Sequence, residues 1–266
     1  GGSMSQTQVI VMGAGGRMGS MLAQLSQKDP ELNLTAMLER QECVDNLPDV
    51  DCTYGFDLDH VLAEVGPGVI IDFTLPEATV ETARIARSHS CPLVIGTTGL
   101  NREQEILIED VAGHIPVFWT PNMSVGISVL LELLPKLTQA LGPAYDPELM
   151  EIHHRMKKDA PSGTALKLAQ AVARAKDWPE EESLRLCREG LIGERPDQEV
   201  GVQTLRGGDV VGEHTVYYFG PGERIEITHK ASSRETFAQG ALRAAKWISA
   251  QKPGKIYTMA DLVSWK

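Results

Sequence analysis

The sequence is short of cysteine and of positive charge, and it has no long apolar run. Its four cysteines, Cys43, Cys52, Cys91 and Cys187, form no CxxC pair, and no cysteine/histidine cluster has zinc spacing. A disulfide framework and a metal site are therefore not expected, and free thiols in a reducing cytoplasm are. No stretch reaches the roughly 18 apolar residues that a membrane span needs. Gly1-Gly2-Ser3-Met4 has neither the basic start nor the apolar core of a secretory signal, and Gly1-Gly2-Ser3 reads as an expression scar. Lysine and arginine number 25 against 36 aspartates and glutamates, a net charge of −11. Such a surface disfavours DNA, RNA and anionic membranes as partners, and it makes any local cluster of cations informative. Internal repeats and low-complexity segments are also missing.

What is present suffices for one large domain or two modest ones: 266 residues, 42% of them hydrophobic. Gln8–Met12 is a short apolar run ending in glycines, the pattern of a buried parallel strand. Residues 17–27 then place Met18, Met21, Leu22 and Leu25 on one helical face. Strands are expected again at Leu32–Leu38, Val69–Phe73, Leu93–Ile95 and Val117–Trp119, with helices opening at Pro76 and covering about 101–112. Strands alternating with helices imply a Rossmann-type, doubly wound parallel sheet.

The pattern changes near residue 123. Val125–Leu141 reads as a strongly apolar helix connecting two domains, Leu149–His153 as a strand and Ser162–Lys176 as an alanine-rich helix. Val200–Leu205, His214–Phe219 and Arg224–Thr228 are separated by glycine-rich turns, which predicts an antiparallel meander. The second part is thus α+β with a mostly antiparallel sheet. A last helix is expected to start at a capping box formed by Ser232 and Glu235.

Two features carry chemistry. The first is Gly13-Ala14-Gly15-Gly16-Arg17-Met18-Gly19, directly after the first strand. A strict G-x-G-x-x-G would need glycine where Met18 stands, but Gly13-x-x-Gly16-x-x-Gly19 offers the same chemistry: a tight turn, close approach to pyrophosphate and helix amides facing an anion. Arg17 can add charge to phosphate. The second strand leads to Glu39, placed to hold ribose hydroxyls, and Arg40, placed to face a 2′-phosphate instead. This pair predicts use of both NADH and NADPH. Gly96-Thr97-Thr98 and Thr120-Pro121-Asn122-Met123 lie just past the fourth and fifth strands, where ligands of open α/β sheets bind; ordinary turn chemistry explains them equally well.

The second feature is His153-His154-Arg155-Met156-Lys157-Lys158, five potentially cationic residues out of six, followed by Asp159-Ala160-Pro161-Ser162-Gly163-Thr164. Ser162 is a candidate helix cap, and Gly163 lets an anion approach the backbone. Histidine can exchange protons near neutrality, and a lysine can serve as acid or as charge clamp. With a hydride cofactor, the segment reads as the site of an anionic substrate. A dehydrogenase working through a thiolate is disfavoured, because no cysteine has an evident histidine partner.

From Glu151 to Ala165 these residues closely resemble the signature of the bacterial dihydrodipicolinate reductase family. Further segments agree in the same order, including Asp72-Phe73-Thr74, Gly208–Thr215 and Glu223–Arg234. The resemblance implies reduction of a small cyclic dicarboxylate by NADH or NADPH in the diaminopimelate route to lysine, in a cytoplasmic homotetramer. It implies proton transfer by His153 and Lys157, and substrate binding by His154, Gly163 and Thr164. Cofactor binding is implied for Gly13, Ala14, Gly15, Gly16, Arg17 and Met18, and for Glu39 and Arg40. The same holds for Gly96, Thr97, Thr98, Thr120, Pro121, Asn122 and Met123. The expected domains are 4–124 with 235–266 for the dinucleotide and 125–234 for substrate binding and tetramerisation.

Overall fold

In the first sheet the strands are continuous apolar runs because helices cover both faces. β4 (Val69–Asp72) and β5 (Leu93–Ile95) are buried at every position. A computed structural model describes residues 5–264, so the expected scar at 1–3 lies outside the described residues. Residues 5–124 and 235–264 form one compact unit, and Val125–Arg234 forms the other.

The first unit continues with β1 (Thr7–Val11), α1 (Arg17–Lys28), β2 (Leu32–Leu38), β3 (Thr53–Gly55), α2 (Leu58–Val65), α3 (Pro76–Ser88), α4 (Arg102–Ala112) and β6 (Val117–Trp119). It resumes at α8 (Glu235–Ile248), β12 (Ile256–Tyr257) and α9 (Met259–Val263). Its sheet has the order β12-β6-β5-β4-β1-β2-β3, and all pairings are parallel. On one face Ile10, Ile70, Leu93 and Val117 meet Leu62, Ala83 and Ile108 of α2, α3 and α4. α1 and α8 lie against the sheet as well and touch each other. Truncating any of the fully buried Ile10, Ile70 or Leu93 to alanine would cost about 2–5 kcal/mol.

The expected strands are all there, but β3, β12, α2 and α9 went unforeseen; strands of three and two residues are too short for a periodicity to show. The expected capping box is two residues early, since α8 begins at Glu235 and Ser232 stands before its cap position.

The second unit comprises α5 (Val125–Leu141), β7 (Asp146–His153), α6 (Gly163–Ala175), α7 (Glu180–Ser183), β8 (Leu184–Arg185), β9 (Val200–Arg206), β10 (Gly212–Gly220) and β11 (Glu223–Ala231). The α+β class holds. The meander does not: the order is β11-β10-β7-β9-β8, a mixed sheet in which β7 runs antiparallel to β10 but parallel to β9. Glycine turns reverse the chain, as the sequence indicates, but reversal does not require adjacency. β7 is inserted between β9 and β10, so their connection crosses the end of β7. Gly207 N donates to His153 O (3.1 Å), and Arg155 N donates to Gly208 O (3.1 Å). Leu149, Val202, Val216 and Tyr218 form the core with Leu134, Leu168 and Val172 of α5 and α6. The buried Tyr218 hydroxyl is paired with Thr138 at 2.7 Å, as a buried phenol requires.

Candidate active site

The turn between β1 and α1 is shaped by two glycines. Gly13 has φ +58°, a conformation that L side chains avoid. Gly19 lies so near the turn that a Cβ there would sit 2.1 Å from Gly13 O. Gly16 is the cap residue of α1, so Arg17 and Met18 open the helix, where amides lack a helical acceptor and the dipole favours an anion. Ala14 is buried, its amide donating to Leu38 O at 3.0 Å. Glu39 is braced against the same turn: its Oε2 accepts from Gly15 N (2.9 Å) and its Oε1 from Arg40 N (2.8 Å). The Arg40 guanidinium is largely exposed, 3.4 Å from Glu42. The close-fitting turn, the helix start and the Glu39 carboxylate together fit a dinucleotide.

The other expected cofactor residues divide by burial. Thr97 is buried, and its hydroxyl is spent inside the protein, 2.7 Å from that of Thr79 and 3.4 Å from Asp72 Oδ1. Asp72, fully buried at the end of β4, also accepts from the Thr74 amide (2.8 Å) and hydroxyl (2.6 Å); burial pushes its pKa up despite these bonds. Met123 is only 2% exposed, so its side chain belongs to the core. Thr98 and Pro121 are exposed, while Gly96, Thr120 and Asn122 are half-buried. Asn122 Oδ1 accepts from Ser124 N at 2.9 Å. If Thr97 and Met123 meet a ligand, they do so through main chain.

In the second unit the site is built at the end of β7. Glu151 and His153 are two residues apart and so share a face of the strand. Their contact is short, His153 Nδ1 to Glu151 Oε2 at 2.5 Å. Glu151 is fully buried and takes further donors: Arg206 Nη1 and Nη2 (both 2.8 Å), Ser162 N (2.9 Å) and Thr204 Oγ1 (3.3 Å). Burial alone would raise the Glu151 pKa, but the bonds from Arg206, His153 and Ser162 outweigh it and hold it at about 2. Glu151 is therefore an anion at neutral pH. An ionised carboxylate only accepts, so the His153 Nδ1 carries the hydrogen and Nε2 is the position left for proton exchange.

His214 on β10 stands edge-on to His153, ring centres 5.2 Å apart. Burial, then the charges of His153, His229 and Lys157, lower its pKa to about 4, so it is neutral at physiological pH. Its Nε2 shares a 3.0 Å hydrogen bond with Ser162 Oγ. Ser162 caps α6 as expected, its hydroxyl accepting from Ala165 N at 3.0 Å. Gly163 and Thr164 are then the first two helical residues, where an anion is favoured. A Cβ at Gly163 would meet nothing within 4 Å, so the approach is open.

The turn after His153 sorts its cations. Arg155 and Lys158 are exposed, while His154 and Lys157 are half-buried. Lys157 N donates to His154 O (3.1 Å), which bends the segment back, and Lys157 Nζ lies 2.8 Å from Asp159 Oδ1. The structure thus gathers His153, Lys157 and the start of α6 around β7. Sequence reasoning assigned no role to Glu151, Thr204, Arg206 or His214. Only the i, i+2 spacing of Glu151 and His153 was readable; the other three come from distant strands.

Known proteins share this organisation. The families described as dihydrodipicolinate reductase, N-terminus, and dihydrodipicolinate reductase, C-terminus, match residues 7–123 and 126–263. The 4-hydroxy-tetrahydrodipicolinate reductase of Nitratidesulfovibrio vulgaris (strain DP4) is 57% identical over 96% of this chain and 99% of its own length. That of Anaeromyxobacter dehalogenans (strain 2CP-C) is 44% identical over 97% of each. Among solved structures, a dipicolinate-bound dihydrodipicolinate reductase from Paenisporosarcina sp. TG-14 superimposes with a TM-score of 0.78 at 23% identity, covering 97% of this chain and 99% of that one. With both halves matched and close relatives covered end to end, the chain belongs to the dihydrodipicolinate reductase family.

Proposed function

We propose that this chain reduces 4-hydroxy-tetrahydrodipicolinate to tetrahydrodipicolinate in the diaminopimelate route to lysine, with a reduced nicotinamide dinucleotide as donor. The observation that carries the reading is a carboxylate-held histidine, His153, with a half-buried lysine, Lys157, four residues on, beside a helix start that favours an anion. The substrate ring gains one hydride and one proton and loses its 4-hydroxyl as water, while the nicotinamide is oxidised.

The first-turn amides of Gly163 and Thr164, with the Thr164 hydroxyl and His154, receive a substrate carboxylate. That charge suits the positive end of α6 and the surrounding cations. When bound, the reduced nicotinamide supplies the hydride. Gly13, Ala14, Gly15, Gly16, Arg17 and Met18 would hold its pyrophosphate, Glu39 and Arg40 its ribose, and Gly96–Thr98 with Thr120–Met123 its nicotinamide end. Negative charge that builds on the ring as the conjugated imine is reduced is quenched by a proton from Lys157 Nζ. His153 exchanges a proton at Nε2, since its Nδ1 is committed to Glu151. Asp159 keeps the Lys157 ammonium in the turn between turnovers.

Both NADH and NADPH serve as donors, because Glu39 suits free ribose hydroxyls while the exposed Arg40 suits a 2′-phosphate. The active form is a cytoplasmic homotetramer assembled through the second sheet. Its support is a sheet that ends on the outer strand β11 and exposes Leu205 and Phe219, together with four free thiols. Among the described residues, no helix is long and apolar enough to cross a membrane.

The experiment is to feed the purified chain with substrate made by the preceding aldolase-type enzyme and to follow loss of reduced nicotinamide absorbance. Substrate-dependent oxidation is expected with either dinucleotide, the two kcat/KM values lying within about a thousandfold, a barrier difference of about 4 kcal/mol. A flat trace on fresh substrate with both donors would remove the reductase reading. A larger preference would remove only dual use.

A further inference from the structure

We propose that Arg206 is a positioning residue that ties the two proton-handling parts of the site together: His153 through the Glu151 carboxylate, and the turn bearing Lys157 through the Asp159 carbonyl. The inference rests on the roles given above to His153 and Lys157.

Arg206 ends β9, in register with His153 across the parallel β7–β9 pair. Its guanidinium forks onto Glu151, Nη1 to Oε2 and Nη2 to Oε1, both at 2.8 Å. Nη2 also donates to Asp159 O at 2.8 Å, and Nη1 to Leu205 O at 2.8 Å. One planar group thus contacts the carboxylate that orients the histidine and the backbone of the residue that pairs with Lys157 Nζ. The contacts are sheltered: the Arg206 side chain is 19% exposed and that of Glu151 fully buried. Lysine would retain the charge but not the two-pronged, in-plane geometry.

Two consequences follow for His153. Glu151 Oε2 accepts both from Arg206 and from His153 Nδ1, so the guanidinium restrains the oxygen against which the imidazole is aligned. Imidazole Nε2 stands near the start of β10, where a Cβ at Gly212 would lie 3.0 Å from it. Glu151 held as an anion fixes which nitrogen carries the hydrogen. Without the guanidinium, burial of Glu151 is less opposed and its pKa rises from about 2. A protonated Glu151 no longer requires hydrogen on Nδ1, so the histidine loses its fixed tautomer.

The test compares Arg206→Met, Arg206→Lys and the wild type as full-length proteins. Arg206→Met is expected to lower kcat by about a hundredfold, as misplacement of reacting groups does, with KM for the substrate changing only a few-fold. Its acid limb of kcat against pH moves to higher pH, because Glu151 now takes up a proton at higher pH than in the wild type and activity needs it ionised. His214 on β10, His229 on β11 and Lys157 in the turn also face the cluster and are the same in every variant. Arg206→Lys recovers part of kcat and returns the limb toward its wild-type position. Imidazole nitrogen chemical shifts, with His153 identified by difference against His153→Gln, give a readout independent of turnover: hydrogen on Nδ1 in the wild type, a tautomer mixture in Arg206→Met. A kcat within about threefold of wild type in Arg206→Met, or an unmoved acid limb with an unchanged Nδ1 signal, would overturn the proposal. Should Arg206→Met not fold, Arg206→Lys decides alone: an unshifted limb and a wild-type kcat sink the idea. An inactive wild type that still shows the tautomer difference would instead defeat the reductase reading and leave the positioning role intact.

Discussion

Lys157→Ala lowers kcat by about a hundredfold or more, the loss that removal of a general acid brings. Lys157 is the one cation of the 153–158 segment that is both half-buried and held by a carboxylate in the turn, with Nζ 2.8 Å from Asp159. Arg155 and Lys158, also cationic, are exposed. If Lys157 only clamped a carboxylate, truncation would raise KM and leave kcat standing. If it delivers the proton, kcat and kcat/KM fall together. Lys157→Arg separates the two further: the guanidinium keeps the positive charge but cannot give up a proton in the working range, so binding survives and turnover does not. Steady-state kinetics on both variants check this, and near-normal kcat in Lys157→Ala removes the residue from the mechanism.

Gly19→Ala is the second large effect, and it falls on the dinucleotide. The added Cβ would lie 2.1 Å from Gly13 O, 2.7 Å from Gly13 C and 2.8 Å from Ala14 Cα. All three are backbone atoms, so no rotamer change relieves the clash; either α1 or the Gly13 turn has to move. Overpacking of this kind costs about 1–3 kcal/mol, or a Tm lower by roughly 2–12 °C for a chain of this size. The same shift moves the turn away from the α1 amides, so, on the proposal that they receive a pyrophosphate, the dinucleotide Kd rises at least about tenfold. Fluorescence titration with NADH checks this, alongside the substrate KM at saturating dinucleotide, which stays at the wild-type level. Wild-type NADH affinity would show that close approach at Gly19 is not needed for binding.

The parallel sheet was legible because its strands are apolar throughout: Val9-Ile10-Val11 and Leu93-Val94-Ile95 cannot be half-exposed strands. β3 and β12 were not, since their few residues take their shape from a neighbouring strand rather than from a pattern of their own. The supposed meander shows how a local signal misleads. Gly207-Gly208-Asp209 correctly reports a reversal, yet β7, some fifty residues earlier, occupies the place beside β10.

The candidate site divides in the same way. His153, Lys157, Ser162 and Gly163 lie in one stretch, and a cationic cluster in an acidic chain draws attention to it. Arg206 is 55 residues from Glu151 and His214 is 52 from Ser162, so no spacing rule finds them. Glu151 was hidden for another reason: an acidic residue on a strand normally signals solvent, and only its five donors explain its burial. Thr97 and Met123 show what a motif leaves out. The Thr97 hydroxyl is bonded to Thr79 and the Met123 side chain lies in the core, which leaves only their main chain to meet a ligand.

The central claim is transfer of hydride from a nicotinamide to a cyclic dicarboxylate, and the fate of the hydrogen tests it most directly. The dinucleotide is deuterated on both positions of its hydride-donating carbon, and the product formed with substrate is examined by mass spectrometry. The reading predicts tetrahydrodipicolinate carrying a single deuterium on a ring carbon, with a matching loss of label from the nicotinamide. Product without deuterium, formed while the dinucleotide keeps its own, would contradict it.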